Sequence, residues 1–155
     1  MADVNPALNT GRSRNQILDA LLAKFQGIAA WGRQPSRKFK MWNDIPKGER
    51  PALFLVHDEE QRSQPAEGTP PYITMTVTIF IYTWSDPQST DVPSVVIEDV
   101  LDAVDKALAP SPLIGRQTLD GLVSHCWIEG QTRVVPGDLE GDGLAVIPIK
   151  VLIPS

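Results

Sequence analysis

Cysteine and histidine are scarce in this sequence, which limits the chemistry available to it. One cysteine, Cys126, and two histidines, His57 and His125, occur in 155 residues. A lone cysteine excludes an internal disulfide framework and a multi-cysteine metal site, and it suits a reducing compartment. Each histidine lies in a predicted strand next to Asp58 or Cys126, and adjacent strand residues point to opposite faces. We therefore interpret both as structural histidines and Cys126 as inert packing.

Other motifs are absent as well. The sequence contains no run of 18 apolar residues, no signal-peptide pattern, no Gly-x-Ser-x-Gly turn and no glycine-rich phosphate loop. We therefore expect a soluble protein, intracellular when synthesised, that has no membrane partner, requires no cofactor and is not an enzyme. The formal net charge of −5 argues against nucleic-acid binding as the main activity.

Hydrophobic periodicity predicts one α+β domain over residues 13–155, preceded by a flexible polar arm at 1–12. Ser13 and Gln16 have the spacing of a capping box, which predicts a helix after them. A second helix is expected after a cap at Thr90 or Asp91. We expect a mainly antiparallel sheet of four to five strands with both helices packed on one face. Strands are predicted near 52–57, 72–84, 122–129 and 144–153.

Several details of the sheet follow from the same patterns. The strand at 72–84 changes from threonines to aromatic residues on its second face, which suggests that a helix or another subunit covers that end. Residues 58–71 and 130–143 are predicted to be a long exposed loop and a polar turn. Pro148 interrupts an otherwise apolar strand and implies an edge or a bulge there.

Charged residues gather in three segments, one basic and two acidic. Opposite charges on one subunit suit head-to-tail contacts between copies, although solvated loops are the plainer alternative. The candidate interface residues are Arg33, Arg37, Lys38, Lys40, Asp58, Glu59, Glu60, Glu67, Asp138, Glu140 and Asp142.

The second acidic segment also resembles the first half of a calcium loop. Asp138, Glu140 and Asp142 alternate before a glycine, but Ile149 stands where a bidentate glutamate would be needed. A solvated hairpin tip is the favoured interpretation, and a weak divalent-cation site remains open. A small metal-assisted enzyme that uses these residues with His125 is the catalytic alternative.

The order of several segments is similar to that of a known protein family. These are the helix beginning Arg14-Asn-Gln-Ile-Leu, the segments Ser36–Trp42 and Pro51–Leu55, the threonine-alternating strand, the helix Val100–Leu108, and the segments Gly121–Gly130 and Ala145–Pro154. Together they resemble tail terminator proteins of long-tailed bacteriophages with flexible, non-contractile tails.

The resemblance implies a small structural α/β protein of the virion. Such proteins form a hexameric ring on the head-proximal end of the tail tube, stop tube polymerisation and present a surface to the head connector. DNA passes through the ring without specific binding. The expected partners are further copies of the chain, the tail tube protein and a connector or neck protein, and synthesis is expected in the host bacterial cytoplasm. A head-completion or neck protein is the alternative within the virion.

Overall fold

The computed structural model describes residues 13–69, 71–137 and 141–153. The elements in chain order are α1 (Arg14–Phe25), β1 (Ala52–Ser63), β2 (Tyr72–Trp84), α2 (Ser94–Ala107), β3 (His125–Ile128), β4 (Arg133–Val135) and β5 (Asp142–Ile153). Two short 3-10 turns lie between α1 and β1, at Trp42–Asp44 and Lys47–Glu49. The arm expected at residues 1–12 lies outside the described residues.

The five strands form one antiparallel sheet. Its order is β1-β2-β5-β3, and β4 also pairs with β5. A single parallel bridge joins Ser36 to Phe54 in β1. The predicted α+β class and the predicted number of strands are confirmed.

Helix α1 begins with the predicted capping box. The Gln16 amide donates to Ser13 Oγ at 3.2 Å, and the Ser13 amide donates to Gln16 Oε1 at 3.3 Å. These bonds satisfy backbone donors that the first turn of a helix leaves free. Ile17, Leu21 and Phe25 then bury one stripe of the helix against the sheet.

Both helices pack on the same face of the sheet, as predicted. The stripe of α2 continues the core beside α1, because its apolar residues recur at helical spacing. The core residues contributed by α2 and the following turn are Ile97, Val100, Val104 and Leu108. Alternate residues of β2 and β5 supply the other half of this core, including Met75, Val77, Ile79, Ile147, Ile149 and Val151.

The opposite face of the sheet is covered at one end by an irregular segment. Phe39 packs edge-on against Phe80 at 4.9 Å between ring centroids, and Phe54 lies 5.7 Å from Tyr82. The Tyr82 hydroxyl donates to the Lys40 carbonyl at 2.7 Å. Part of the cover predicted from the aromatic row of β2 is therefore the chain's own irregular segment before β1.

The prediction of a loop over residues 58–71 is wrong for its first half. Strand β1 continues to Ser63, and Ser63 pairs with Tyr72 across the hairpin. A bulge between His57 and Glu59 shifts the register. The strand can contain charged residues because β2 forms hydrogen bonds with their backbone groups while their side chains stay near water.

Pro148 lies within the central strand β5, at the point where the neighbouring strand changes from β4 to β3. β3 pairs with residues 149–152 of β5 and β4 pairs with residues 144–146. The Pro148 carbonyl accepts from the Glu129 amide at 3.3 Å. The missing N–H of proline therefore falls between two short strands, which reconciles an apolar central strand with the predicted local edge.

The predicted polar turn at 130–143 contains β4, whose three residues are exposed. Three residues are too few to show a hydrophobic periodicity, so the sequence pattern did not predict this strand.

Strand β3 is also shorter than predicted, because a turn precedes it. Val123 consequently joins the same core as Cys126, although a continuous strand would place the two on opposite faces.

The predicted cap of α2 is wrong as well. The helix starts at Ser94 after Pro93, with no side-chain cap, because residues 86–92 form consecutive turns in which Ser89 Oγ accepts from the Asp91 amide.

Candidate functional site

The basic segment, residues 33–40, is partly neutralised within the chain. Arg33 Nη1 lies 3.0 Å from Glu49 Oε1, and its guanidinium also stacks on a phenylalanine ring of β1. Arg37 Nη1 lies 3.0 Å from Asp19 Oδ1, near the middle of α1. Both arginines hold the irregular segment to the domain, so they are less available to a partner than their sequence position suggests.

The two lysines of this segment differ from its arginines in their ion pairing. Across the described residues, Lys38 and Lys40 form no ion pair. They flank Phe39, whose ring packs on the sheet and fixes the backbone that carries them. Two positive charges are thus displayed beside the aromatic cover.

Glu60, in the acidic half of β1, is surrounded by three basic side chains. Arg14 Nη2 donates to Glu60 Oε1 at 2.8 Å, His57 Nε2 lies 3.1 Å from Glu60 Oε2, and Arg62 lies 3.7 Å from Oε1. The hydrogen bond from Arg14 lowers the pKa of Glu60 against the opposing effect of burial, and the nearby positive charges lower it further. This glutamate links the start of α1 to the hairpin.

The other acidic residues of the hairpin face water. Glu59 and Glu67 are exposed, and Asp58 lies at the limit of hydrogen-bond reach from Thr78, at 3.5 Å. They are therefore accessible to a partner.

Asp142 forms an ion pair with a nearly buried arginine. Arg50, whose side chain is 4% exposed, places Nη1 2.5 Å from Asp142 Oδ1. The same guanidinium donates to the carbonyls of Trp42 at 2.8 Å and Ile45 at 3.1 Å. This arrangement joins the irregular segment to the start of β5. The other two acidic candidates of this turn, Asp138 and Glu140, lie outside the described residues.

The two described residues of the catalytic alternative, His125 and Asp142, are not brought together. His125 pairs with Leu152, and Asp142 lies ten positions earlier on the same strand, about 33 Å away at 3.3 Å per residue. His125 instead accepts from the Gln117 amide at 3.2 Å and stacks on Trp127. Within the described ranges, no cluster of three potential metal-ligating side chains occurs.

An exposed apolar loop follows α2 and lies outside the residues predicted to form an interface. We call residues 110–117 the Leu113 loop, because Leu113 is 92% exposed and Ile114 is 52% exposed at its tip. The Ser111 amide donates to the Arg116 carbonyl at 2.9 Å, and the Gly115 amide to the Ser111 carbonyl at 2.8 Å. The apolar pair between Pro112 and Gly115 carries no sequence signal of its exposure, since apolar residues are ordinarily assigned to the core.

A pocket of about 350 Å³ opens at the other end of α2, and we call it the α2 pocket. Its apolar lining comes from Trp84, Val92, Val95 and Val96, and its acidic lining from Asp86 and Asp91. Val92 and Val95 are more than half exposed. Lys47 Nζ lies 5.1 Å from the Trp84 ring centroid and helps to hold that wall in place.

The comparisons with known proteins give a structural likeness and no family. No protein-family model and no curated protein matches the sequence. Among solved structures, the chain is similar to one from a structure described as "Virion of native gene transfer agent (GTA) particle". The TM-score is 0.53 at 11% identity, over 89% of this chain and 95% of the other. The two chains share a fold.

The length and hydropathy of the two helices bear on whether either could cross a bilayer. Neither α1 nor α2, the helices of the described residues, is long and apolar enough to span a membrane.

Proposed function

We propose that the protein is a structural component of a bacteriophage virion, and specifically a tail terminator. Its copies form a hexameric ring at the head-proximal end of the tail tube, end tube polymerisation and receive the head connector. The protein acts by binding rather than by catalysis.

The observation that carries the proposal is the shared fold with a chain of a virion particle over nearly the whole of both chains. The order of segments in the sequence independently resembles tail terminators. Both point to virion assembly, and the second adds the position in the tail.

The distribution of charge is compatible with a ring. Lys38 and Lys40 lie on one part of the surface, while Glu59 and Glu67 lie on the hairpin, so one copy carries both halves of an ionic contact. The net charge of −5 also favours passage of DNA through the ring without retention.

The direct test is a mass measurement of the purified protein, alone and mixed with the tail tube protein of the same phage. A ring that binds the tube end is expected. Deletion of the gene is expected to give tails of irregular length, and restoring the gene should restore uniform tails. A strictly monomeric protein that does not bind the tube would refute the proposal.

A head-completion or neck protein is the second candidate, since the structural likeness is to a chain of a whole virion. Electron cryomicroscopy of virions distinguishes the two. Density for this chain on the tube side of the joint supports the terminator, whereas density on the head side supports the neck protein.

A further inference from the structure

We propose that the Leu113 loop of one copy inserts into the α2 pocket of a second copy. The inference deepens the proposed function and rests on its ring, because it names the contact between neighbouring subunits. The occupant of the pocket is a second copy of this chain.

The two surfaces match in shape and polarity. Leu113 and Ile114 project from the loop, and Trp84, Val92 and Val95 form an apolar wall of a cavity of about 350 Å³. A cavity of this size is at the small end of pockets that hold ligands, and aliphatic side chains fit it. Backbone hydrogen bonds hold the loop in shape before contact, so little conformational entropy is lost on insertion.

The acidic residues of the pocket also complement a basic residue of the loop. Arg116 is exposed on the loop beside the apolar pair, and the pocket carries Asp86 and Asp91. When the loop enters the pocket, its arginine arrives at an acidic rim. Opposite charges at a rim guide and orient association more than they tighten it.

The positions of the two surfaces predict the geometry of the contact. The pocket lies at the first turn of α2 and the loop follows its last turn, so about 21 Å of helix separates them. A contact between opposite ends of one helix joins different patches of the two copies and is therefore head-to-tail. Head-to-tail contacts produce a ring when the rotation closes.

Complementary variants test this contact. Leu113→Asp destroys the loop tip and keeps the pocket, while Val95→Asp blocks the pocket and keeps the loop. Each variant is expected to weaken self-association by on the order of tenfold to a hundredfold per contact, the effect of losing one buried aliphatic side chain. Val135→Asp is the matched control, because Val135 on β4 is as exposed as Val95.

Mixing the two variants gives the sharper result. The intact loop of V95D enters the intact pocket of L113D, and no second contact can follow. The mixture should therefore form a one-to-one dimer in native mass spectrometry, whereas V135D should form wild-type rings. Thermal melting of each variant checks that it is folded.

Cysteine cross-linking supplies an independent measurement. The double variant Leu113→Cys, Val95→Cys cannot close a disulfide within one copy across that distance, so oxidation should give a covalent ladder of copies. The pair Leu113→Cys, Val135→Cys is the control, and buried Cys126 stays unreactive in both.

The outcomes separate the two proposals. Wild-type rings from L113D or V95D, or a ladder no faster than the control, would overturn the contact and leave the ring intact. A wild-type protein that stays monomeric with and without the tube protein would overturn both proposals.

Discussion

The interaction between Arg50 and Asp142 is expected to be the most important polar contact for stability. Arg50→Met keeps the packing of the stem and removes the guanidinium. The Ile45 carbonyl then loses its donor, and the Trp42 carbonyl keeps the Ile45 amide as a donor. Breaking a buried ion pair costs about 3–5 kcal/mol. Because the Asp142 side chain is 27% exposed and regains water, we expect a loss of unfolding free energy at the lower end of this range, about 3 kcal/mol.

The assay is thermal and urea unfolding of the wild type and the variant. For a chain of this size, about 3 kcal/mol corresponds to a fall in Tm of about 6–12 °C. Arg37→Met is the matched control, because its pair with Asp19 is exposed and should contribute below about 1 kcal/mol. A loss from R50M no larger than that from R37M would refute the reasoning.

Substitution of the other partner, Asp142, should destabilise the protein less. Asp142→Ala leaves Arg50 bonded to the carbonyls of Trp42, Ile45 and Thr83. We expect a loss of about 1–2 kcal/mol, since most of the guanidinium's hydrogen bonds survive. A double-mutant cycle with R50M then isolates the energy of the direct pair.

Two further predictions concern ionisable groups. The lowered pKa of Glu60 means that its pairing with Arg14 stabilises the protein above the ordinary pKa of 4.5 and is lost as pH falls through the folded value. The unfolding free energies of wild type and Glu60→Gln, measured in urea, should therefore differ by less than about 1 kcal/mol near neutral pH and converge in acid; a difference that grows in acid would contradict the assignment. Burial raises the pKa of Cys126 to about 12, so iodoacetamide at pH 8 should label the unfolded protein and spare the folded one; rapid labelling of folded protein would contradict this.

Regular periodicity in the sequence predicted the parts of the fold that depend on a local pattern. Strand β2 spans Tyr72–Trp84, as its alternation indicated, and Ser13 caps α1 as its spacing required. In each case side-chain period and burial coincide, so one segment carries enough information by itself.

The parts that failed depend on partners distant in sequence. The acidic half of β1 forms a strand because β2 lies beside it, and β4 exists because β5 offers an edge. Arg33 and Arg37 remain predictions for a subunit interface, and their pairing with Glu49 and Asp19 of the same chain was not predicted. Which carboxylate a given arginine finds is decided by tertiary structure, and no spacing rule encodes it.

The candidate site could be predicted only in its charged part. Lys38, Lys40, Glu59 and Glu67 remain predictions for a partner surface. The Leu113 loop and its pocket were missed because each becomes visible only when exposure is known. Apolar residues in a sequence are ordinarily assigned to the core, and an apolar residue held out in water is a structural observation.

The two sides of the sheet are unequal in a way that bears on aggregation. On one side, Pro148 divides the border into the short strands β3 and β4. On the other, Ser36 bonds to Leu53 and Leu55 and blocks the inner half of β1. Among the described residues, only the outer half of β1, residues 56–63, offers backbone groups over a strand's length. Within the described part of the chain, we therefore expect fibril growth by strand addition at this segment, where the exposed carboxylates of Asp58 and Glu59 disfavour the approach of a second copy.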